Sequence, residues 1–382
     1  MFSILLTVVL AVIAVTFGQV SQWKTTLRDD QSINVNSHSK HQARFFPLFS
    51  VVRFANSECI ASNNFIGTCF TRRECLNYGG TPSGSCANGL GICCIFQKTC
   101  GATTNINNTY FINPNYPTTY KGGDRCTISI QRCNTNICQL RLDFLDSSFT
   151  QPNASGICDN DLFLVSGAAS IVPRLCGENT NQHVYLDFNG ANPITISVDT
   201  LLDTTFERRW NIRIHQIACD SVYRAPNGCL QYYQTVSGTV TSFNFGSTPN
   251  ARAPLIGTRE MANLMYGVCI KMAPGYCSIE WMQTNNMSFT VSGDTGSIDP
   301  MIIGTAMVAE SGTTCTKDFV IIPNPVENNV AAGTERFCGN GFVTKSSNMK
   351  PFVLYVVTDA DEAGEIQNRG FMLSYRQLPC AV

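Results

Sequence analysis

The chain has 382 residues, with 26 lysines and arginines against 27 aspartates and glutamates, which leaves a formal net charge of −1. This balance argues against nucleic-acid binding, which usually requires a basic surface. A hydrophobic fraction of 44% excludes disorder over the whole length. The 19 cysteines are many for a cytosolic protein of this size and indicate an oxidising compartment, where disulfides form.

The N-terminal residues 2–17 form an uncharged apolar run, FSILLTVVLAVIAVTF. Its length is typical of a signal-peptide core and short for a membrane span. Thr16 and Gly18 supply small side chains for cleavage, so we predict a signal peptide over residues 1–18 and a secreted mature chain. An uncleaved anchor is the alternative. No later apolar stretch is long enough to predict a membrane span.

Residues 19–57 begin with a polar stretch that predicts a flexible N-terminal arm. The arm ends in ARFFPLFSVVRF, whose aromatic side chains lie between two arginines. This segment either packs on a neighbouring domain or binds a partner. Residues 58–99 then contain six closely spaced cysteines, which predict a small module held together by disulfides.

Two longer segments, residues 100–220 and 221–382, repeat one pattern with an offset of about 160 residues. Each contains a C-x-x-D motif, a Cys-Gly pair, an apolar strand that ends in aspartate and an aromatic strand that closes on a cysteine. These landmarks are Cys158–Asp161, Cys176–Gly177, Asp199 and Cys219 in the first copy, and Cys315–Asp318, Cys338–Gly339, Asp359 and Cys380 in the second. The repeat predicts a duplicated domain.

The segments between turn residues are short and rich in β-branched and aromatic residues, as in LFLVSG, ITISVD, WNIRIH and FVLYVV. Several alternate between apolar and polar side chains, which predicts half-buried β-strands. Long helical periodicity is absent from the sequence. Many short strands at regular spacing predict an all-β fold, with one β-sandwich in each copy.

The stretch that starts at Cys100, CGATTNINNTYFINPNYPTTY, together with the later C-x-x-D, LCG and closing aromatic strand, resembles a CUB domain. The resemblance covers residues 100–219 well and residues 229–380 more loosely. The six-cysteine module, with Gly79-Gly80 and a final Cys93-Cys94 pair, is similar to a clip domain. The whole layout resembles that of secreted arthropod CUB proteins, which implies two CUB-type jelly-roll β-sandwiches in tandem after a small disulfide-knotted module.

The resemblance also implies a disulfide pattern. The clip-like module would pair Cys59–Cys93, Cys69–Cys86 and Cys75–Cys94. The CUB-like domains would pair Cys100–Cys126, Cys158–Cys176, Cys229–Cys269 and Cys315–Cys338, and alignment of the two copies adds Cys138–Cys219 and Cys277–Cys380. Cys133 is then left over, although an alternative pairs Cys133 with Cys138 and frees Cys219. An unpaired cysteine on a secreted chain could link two copies of the chain through a disulfide, which would give a covalent homodimer.

Many CUB domains hold a calcium ion with a tyrosine, a glutamate and two aspartates at one end of the sandwich. The resemblance places Tyr120, Asp161 and Asp199 at three of these positions in the first domain. Ser148 falls at the glutamate position, with Asp146 close enough to compensate. Calcium binds six to eight oxygen ligands, so the resemblance implies a calcium site in the first domain. The alternative is that these aspartates only stabilise turns.

The second domain keeps Asp318 and Asp359 at the two aspartate positions of this pattern. Asn263 and Met287 fall near the other two positions, and neither supplies a carboxylate. We therefore expect no calcium ion in the second domain.

The sequence contains no complete catalytic motif, which argues against an enzyme. Asp294-Thr-Gly-Ser297 matches half of an aspartic-protease pair, but that chemistry requires two carboxylates that share a proton. The four histidines lack a serine-protease context, and no GDSGG motif is present; they are His38, His41, His183 and His215. Because no C-x-x-C pair occurs, disulfides are a better explanation of the cysteines than zinc.

Three N-x-S/T sequons, at Asn107, Asn153 and Asn286, predict glycosylation on exposed loops of a secreted protein. The sequence as a whole predicts a non-enzymatic adaptor that recognises an extracellular protein or glycan, with calcium in the first domain. One alternative is a non-catalytic regulator of a clip-type serine-protease cascade. Another is a disulfide-linked component of the extracellular matrix.

Overall fold

The computed structural model describes residues 54–203, 205–246, 258–365 and 367–380, all within one unit, Val52–Val382. The predicted signal peptide, the arm up to residue 53, His38 and His41 lie outside the described residues. The described chain is almost entirely β-structure, as the sequence predicts. It has one short helix, α1 (Arg72–Asn77), and four 3₁₀ turns, at Ala87–Gly89, Thr295–Ser297, Ala306–Val308 and Gly312–Thr314.

The strands fall into three groups along the chain. The N-terminal module contains β1 (Glu58–Ile60), β2 (Ile66–Phe70), β3 (Thr81–Cys86) and β4 (Gly91–Lys98). The first sandwich contains β5 (Ala102–Thr104), β6 (Thr109–Ile112), β7 (Arg125–Ile130), β8 (Ile137–Ser148), β9 (Asp161–Ser166), β10 (His183–Asp187), β11 (Ile194–Thr200) and β12 (Arg209–Ala218).

The second sandwich contains β13 (Cys229–Tyr233), β14 (Ser237–Thr241), β15 (Met265–Ile270), β16 (Tyr276–Gln283), β17 (Phe289–Thr290), β18 (Ala309–Ser311), β19 (Phe319–Ile321), β20 (Pro325–Glu327), β21 (Val330–Ala331), β22 (Arg336–Gly339), β23 (Lys345–Ser347), β24 (Phe352–Val357) and β25 (Gly370–Pro379).

The N-terminal module is joined to the first sandwich by a shared sheet. Its helix begins at a capping box, in which Thr71 accepts a hydrogen bond from the Glu74 amide and the Glu74 carboxylate accepts one from the Thr71 amide. Strand β4 leaves the module and pairs in parallel with β6, with Phe96 opposite Thr109. The resulting sheet runs β1-β2-β4-β6-β12-β8-β10, and β3 pairs with β4.

The first sandwich packs the β6-β12-β8-β10 part of that sheet against a second sheet in the order β5-β7-β11-β9. Strand β11 shows why the residues fold this way. Ile194, Ile196 and Val198 are fully buried, while Thr195 and Ser197 between them are half-buried, so the two-residue period sends apolar side chains to one face. The aliphatic face of β11 therefore fixes which side of the sheet lies in the core.

The second sandwich repeats this plan with two larger sheets. One sheet runs β13-β15-β24-β19-β22-β18 and the other runs β14-β25-β16-β23-β20-β21. Strands β13 and β15 pair in parallel, as β5 and β7 do in the first sandwich. Trp210 on β12 and Trp281 on β16 are fully buried in their respective sandwiches. The fold is therefore two β-sandwiches in tandem after a small disulfide-rich module.

The two sandwiches meet along β10 and β13 through buried polar groups. His183 Nε2 lies 3.0 Å from the Tyr232 amide nitrogen, which donates to it. The Gln231 side-chain amide donates to Gln182 Oε1 at 2.9 Å, and Gln182 in turn donates to the Ser242 carbonyl at 2.8 Å. These bonds fix how the two sandwiches are placed against each other, because a buried donor or acceptor that lost its partner would destabilise the structure.

Nine disulfides join the described cysteines, in the same pairs as those named from the sequence. Three of them hold the N-terminal module, three the first sandwich and three the second. Cys133 is the free cysteine of the described chain, and it is exposed. Each module is thus closed by its own covalent links, since no disulfide in the described chain joins one module to another.

We predict that acidification weakens the junction between the sandwiches through His183. Burial, together with the Arg141 charge, lowers the pKa of His183 to about 4, although Asp143 and the Tyr232 backbone partly oppose the shift. The neutral ring accepts the Tyr232 amide proton, whereas the unfolded chain binds a proton near pH 6.5. Stability is therefore lost as the pH falls from about 6.5 towards 4, by roughly 3 kcal/mol at most.

The measurement is the melting temperature of the mature chain between pH 7.5 and 4.5, compared with that of His183→Gln. The variant should melt close to the wild type at pH 7.5, because glutamine retains an acceptor, and should show a shallower decline on acidification. Equal declines in the two proteins would contradict the role given to His183.

Candidate metal centre

Two paired strand ends bring aspartates together at one edge of the second sandwich. Asp318 immediately precedes β19 and Asp359 follows β24. The two strands are antiparallel, with Phe319 opposite Val357, so the start of one meets the end of the other. The Asp359 amide donates to Asp318 Oδ1 at 2.8 Å, which fixes the two residues side by side.

The loop after β24 returns a third carboxylate to the same place. The Asp361 amide donates to Asp359 Oδ1 at 2.8 Å, and the Ala363 amide donates to Asp361 Oδ1 at 3.0 Å. Such turns are typical of aspartate, whose short side chain bonds the backbone two residues on. They place Glu362 so that carboxylate oxygens of Asp318, Asp359 and Glu362 lie within 4.8 Å of one another. We call these three residues the acidic cluster.

The carboxylates of this cluster are buried and incompletely satisfied. Asp318 is 1% exposed and Glu362 is 3% exposed. Asp318 Oδ2 and both oxygens of Glu362 are buried without a hydrogen-bond partner, as is Glu260 Oε2. A buried charge without a partner costs several kcal/mol, so each of these oxygens requires a compensating group.

Asp318 and Glu362 of the cluster have raised pKa values, and no positively charged side chain in the described ranges pairs with them. Burial raises the pKa of Asp318 to about 6, and burial followed by repulsion from neighbouring carboxylates raises the pKa of Glu362 to about 9. Burial likewise raises the pKa of Glu260. The nearby Lys317 ammonium forms its ion pair with Glu365, at 3.6 Å. Among the described residues, no lysine, arginine or histidine forms a salt bridge with the acidic cluster.

This donor set fits a hard divalent cation. Calcium binds carboxylate and carbonyl oxygens at about 2.3–2.6 Å in a flexible geometry, and three converging carboxylates supply both ligands and charge neutralisation. A bound cation would satisfy Asp318 Oδ2 and the Glu362 oxygens, which the protein leaves without partners. Asp318, Asp359 and Glu362 are therefore the residues of this chain that would hold the ion.

The corresponding edge of the first sandwich contains an arginine. Arg208 Nε lies 2.9 and 2.8 Å from the two carboxylate oxygens of Asp161, and both side chains are fully buried. Arg208 Nη1 donates to the carbonyls of Lys121 and Asp203, at 2.8 and 3.1 Å. Thus a guanidinium lies among the oxygens that a metal would use, and these residues do not fit a calcium ion.

The other residues implied for a calcium site in the first sandwich have separate partners. Asp199 forms an ion pair with Arg125 at 2.5 Å, and the Tyr120 hydroxyl donates to the Asp124 carboxylate. Ser148 is buried at the end of β8, where it forms a bridge to Glu178.

Asp146, which the sequence suggested as a compensating carboxylate, forms an ion pair with Arg209. Tyr120, Asp161 and Asp199 therefore each bond to a different partner, Asp124, Arg208 and Arg125. They do not converge on one point as the ligands of one ion would.

Sequence reasoning missed Glu362 and Glu260. Glu362 lies in the acidic run DADEAGE that follows the strand ending at Val357. That run was the available signal, because carboxylates three residues apart in a turn-rich loop converge readily on one ion. Glu260 precedes β15 by five residues and reaches the cluster only through the tertiary fold, so no local pattern marks it.

The remaining sequence motifs occupy structural positions. Asp294 accepts a hydrogen bond from the Gly296 amide at 3.0 Å and begins a 3₁₀ turn, which fits a glycine-rich turn better than a catalytic carboxylate. Among the sequons, Asn286 is exposed in the turn after β16. The Asn153 side-chain amide donates to Asp159 at 2.8 Å, and the Asn107 side-chain oxygen accepts from the Gln216 amide at 2.7 Å.

Comparison with known proteins gives one family match, and it falls on the second sandwich. Residues 226–378 match the family model of the animal CUB domain. CUB domains are non-catalytic modules that generally mediate binding to extracellular proteins. The sequence has no significant match among curated proteins. No helix in the described ranges is both long and apolar enough to cross a membrane.

The chain is also similar to solved structures, two of which consist of CUB1-EGF-CUB2 domains. The CUB1-EGF-CUB2 domains of rat MASP-1 are 15% identical over 72% of this chain and 99% of that chain, with a TM-score of 0.26. The CUB1-EGF-CUB2 domain of human MASP-1/3 is 15% identical over 70% and 98%, with a TM-score of 0.24. The full extracellular region of zebrafish Gpr126/Adgrg6 is 13% identical over 75% and 37%, with a TM-score of 0.27.

We predict that Arg208→Ala destabilises the protein by about 3 to 5 kcal/mol, because it leaves the Asp161 charge buried without a partner. The matched control is Arg125→Ala, which removes the exposed partner of Asp199 and should cost less than about 1 kcal/mol. Urea unfolding of both variants, with EDTA present, measures the difference. Similar losses of unfolding free energy in the two variants would contradict the role of Arg208 as the charge that neutralises Asp161.

Proposed function

We propose that the protein is a secreted, non-enzymatic binding protein whose second sandwich uses a cation-ordered edge to recognise an extracellular protein. The observation that supports this proposal is the acidic cluster of Asp318, Asp359 and Glu362, with three buried carboxylate oxygens that lack partners. The CUB domain over residues 226–378 supplies the general role of extracellular protein binding.

Binding of calcium would order the loop that carries the cluster. In the absence of a cation, Asp318 Oδ2 and both oxygens of Glu362 lack a partner at the end of β24. A divalent ion supplies that partner and fixes the loop over residues 359–365. Asp359 is half-buried, so one side of the cluster lies close to the surface. A lysine or arginine of the partner would pair with carboxylates held by the metal, which makes binding sensitive to both calcium and salt.

The first sandwich takes no calcium in this proposal, because Arg208 already neutralises Asp161. Its edge stays ordered in the absence of metal. The calcium requirement of the protein therefore resides in the second sandwich, opposite to the assignment that the resemblance implies. A glycan is the alternative ligand class for the same edge.

The N-terminal module favours a second candidate function, the regulation of a clip-type protease cascade. Its three disulfides join the first cysteine to the fifth, the second to the fourth and the third to the sixth. This is the connectivity that the resemblance to clip domains implies. A protease retained on the full chain but not on a chain that lacks residues 19–98 would favour this role.

A role as a matrix component depends on covalent assembly through Cys133, the exposed free cysteine of the described residues. Electrophoresis without reductant tests it, since a disulfide-linked dimer would run at twice the monomer mass. The Cys133→Ser variant should then run as a monomer under the same conditions.

We predict that the mature chain binds about one calcium ion and that Asp318→Asn abolishes this binding. Asparagine keeps the acceptor for the Asp359 amide but removes the charge, so the fold is retained while the site is lost. The control is Asp199→Asn, which alters a residue that the resemblance named as a ligand and should leave binding unchanged. Isothermal titration after dialysis against EDTA measures both. Loss of binding in Asp199→Asn with retention in Asp318→Asn would move the site back to the first sandwich.

The partner is sought by affinity capture from extracellular fluid, with residues 19–382 as bait, in calcium and in EDTA. We expect a protein that is retained in calcium, released by EDTA and absent when Asp318→Asn is the bait. Equal retention in both conditions would discard the calcium dependence and keep the binding role. Capture of nothing specific in either condition would argue against the recognition function.

A further inference from the structure

A loop of the first sandwich contacts the second sandwich at the acidic cluster. The Gly156 carbonyl accepts a hydrogen bond from the Ala262 amide at 2.9 Å, and the Ser155 carbonyl accepts one from the Glu362 amide at 3.2 Å. The Asn153 carbonyl accepts a third, from Arg259 Nη1 at 3.1 Å. We call residues 153–158 the junction loop, since three of its carbonyls bond to the other domain.

The contact leaves no room for a side chain. Gly156 is buried and has a φ of +72°. A Cβ atom at this position would lie 2.3 Å from Glu362 Cγ and 2.9 Å from the Ala262 nitrogen. Only glycine satisfies both the positive φ and the close approach. The junction loop therefore lies directly against the side chain of a residue in the acidic cluster.

The junction loop is held firmly on its own side. The Asn153 side-chain oxygen accepts from the amides of Ser155 and Ile157, at 2.9 and 3.1 Å, which fixes the turn. Cys158 ends the loop in a disulfide to Cys176. Its sulfur also lies 3.6 Å from the sulfur of Met261, in the second sandwich. Because these bonds hold the loop in place, it does not follow a displaced Glu362, and the contact between them depends on where Glu362 lies.

We propose that cation binding at the acidic cluster latches the two sandwiches together through Glu362 and the junction loop. The inference rests on the proposed function, because it requires the cluster to bind the ion. Glu362 contributes its side chain to the cluster and its amide to Ser155, so one residue takes part in both contacts. When the ion is absent, both buried oxygens of Glu362 lack a partner, so nothing holds its side chain in place and its amide bond to Ser155 is weakened.

Ion binding and the contact between the domains must strengthen each other. If the ion stabilises the junction, then the intact junction must strengthen ion binding by the same factor. The effect concerns the orientation of the two domains, and the bonds between β10 and β13 keep the sandwiches attached in both states. Calcium thereby selects the relative orientation in which the two domains face a partner.

Hydrogen exchange on the mature chain, with calcium and with EDTA, tests the latch. We expect calcium to slow exchange of the Ala262 amide and of amides in the junction loop, which belongs to a domain without a proposed ligand. Protection confined to Asp318 and to residues 359–365 would overturn the latch and leave the metal site standing. Absence of any calcium binding would overturn the proposed function instead.

The Gly156→Val variant tests the reciprocal effect by titration. We expect it to bind calcium at least about fivefold more weakly than the wild type, because the added side chain forces the junction apart. The matched control is Gly190→Val, at a glycine that also has a positive φ but has nothing within 4 Å of a Cβ. Equal affinities in Gly156→Val and the wild type would overturn the latch. The exchange experiment on the wild type decides the question if the variant does not fold.

Discussion

A buried aspartate at the edge of each sandwich requires a positive charge, and the two sandwiches meet this requirement differently. Asp161 and Asp318 hold the same place in the repeated pattern, at the start of a strand three residues after a cysteine. In the first sandwich Arg208 neutralises Asp161 with a buried ion pair. In the second sandwich the corresponding aspartate faces two further carboxylates. The desolvation cost of an unpaired carboxylate is the reason that we propose a cation at the second edge.

The two copies of one fold differ at this edge in how the buried aspartate is neutralised. In the first sandwich the guanidinium bonds to both the carboxylate and the surrounding carbonyls, although Ser148 Oγ and Arg208 Nη2 are buried without partners. The second edge retains oxygens that the protein does not satisfy, which is the property of a binding site.

The connections between modules bring the acidic cluster next to a loop of the first sandwich. The N-terminal module shares a sheet with the first sandwich through β4 and β6, and the sandwiches meet at His183 and Tyr232. The junction loop adds a further contact beside Glu362. Because disulfides close each module internally, the contacts between modules are hydrogen bonds and packing, including those at His183 and Glu362.

Much of the architecture follows from the sequence alone. Alternation in strands such as β11 determines which face is buried, because the period of two residues is a local property of extended chain. The repeated landmarks predict two sandwiches, and the cysteine pattern with its resemblance gives the pairs that the structure contains. The candidate site is different. The sequence identified Asp318 and Asp359 as matching positions but preferred the first domain, where Asp161 and Asp199 also match.

Only the tertiary structure showed which of the two edges has a positively charged side chain beside its buried aspartate. Arg208 lies 47 residues after Asp161, and no spacing rule indicates that its guanidinium reaches that carboxylate. Glu362 comes to the cluster by a turn after β24, and Glu260 comes from a different part of the chain. Charge compensation depends on distances in space and on burial, which a sequence pattern does not contain. Strand periodicity and cysteine order are properties of the chain itself, so the sequence determined the fold and left the site to the structure.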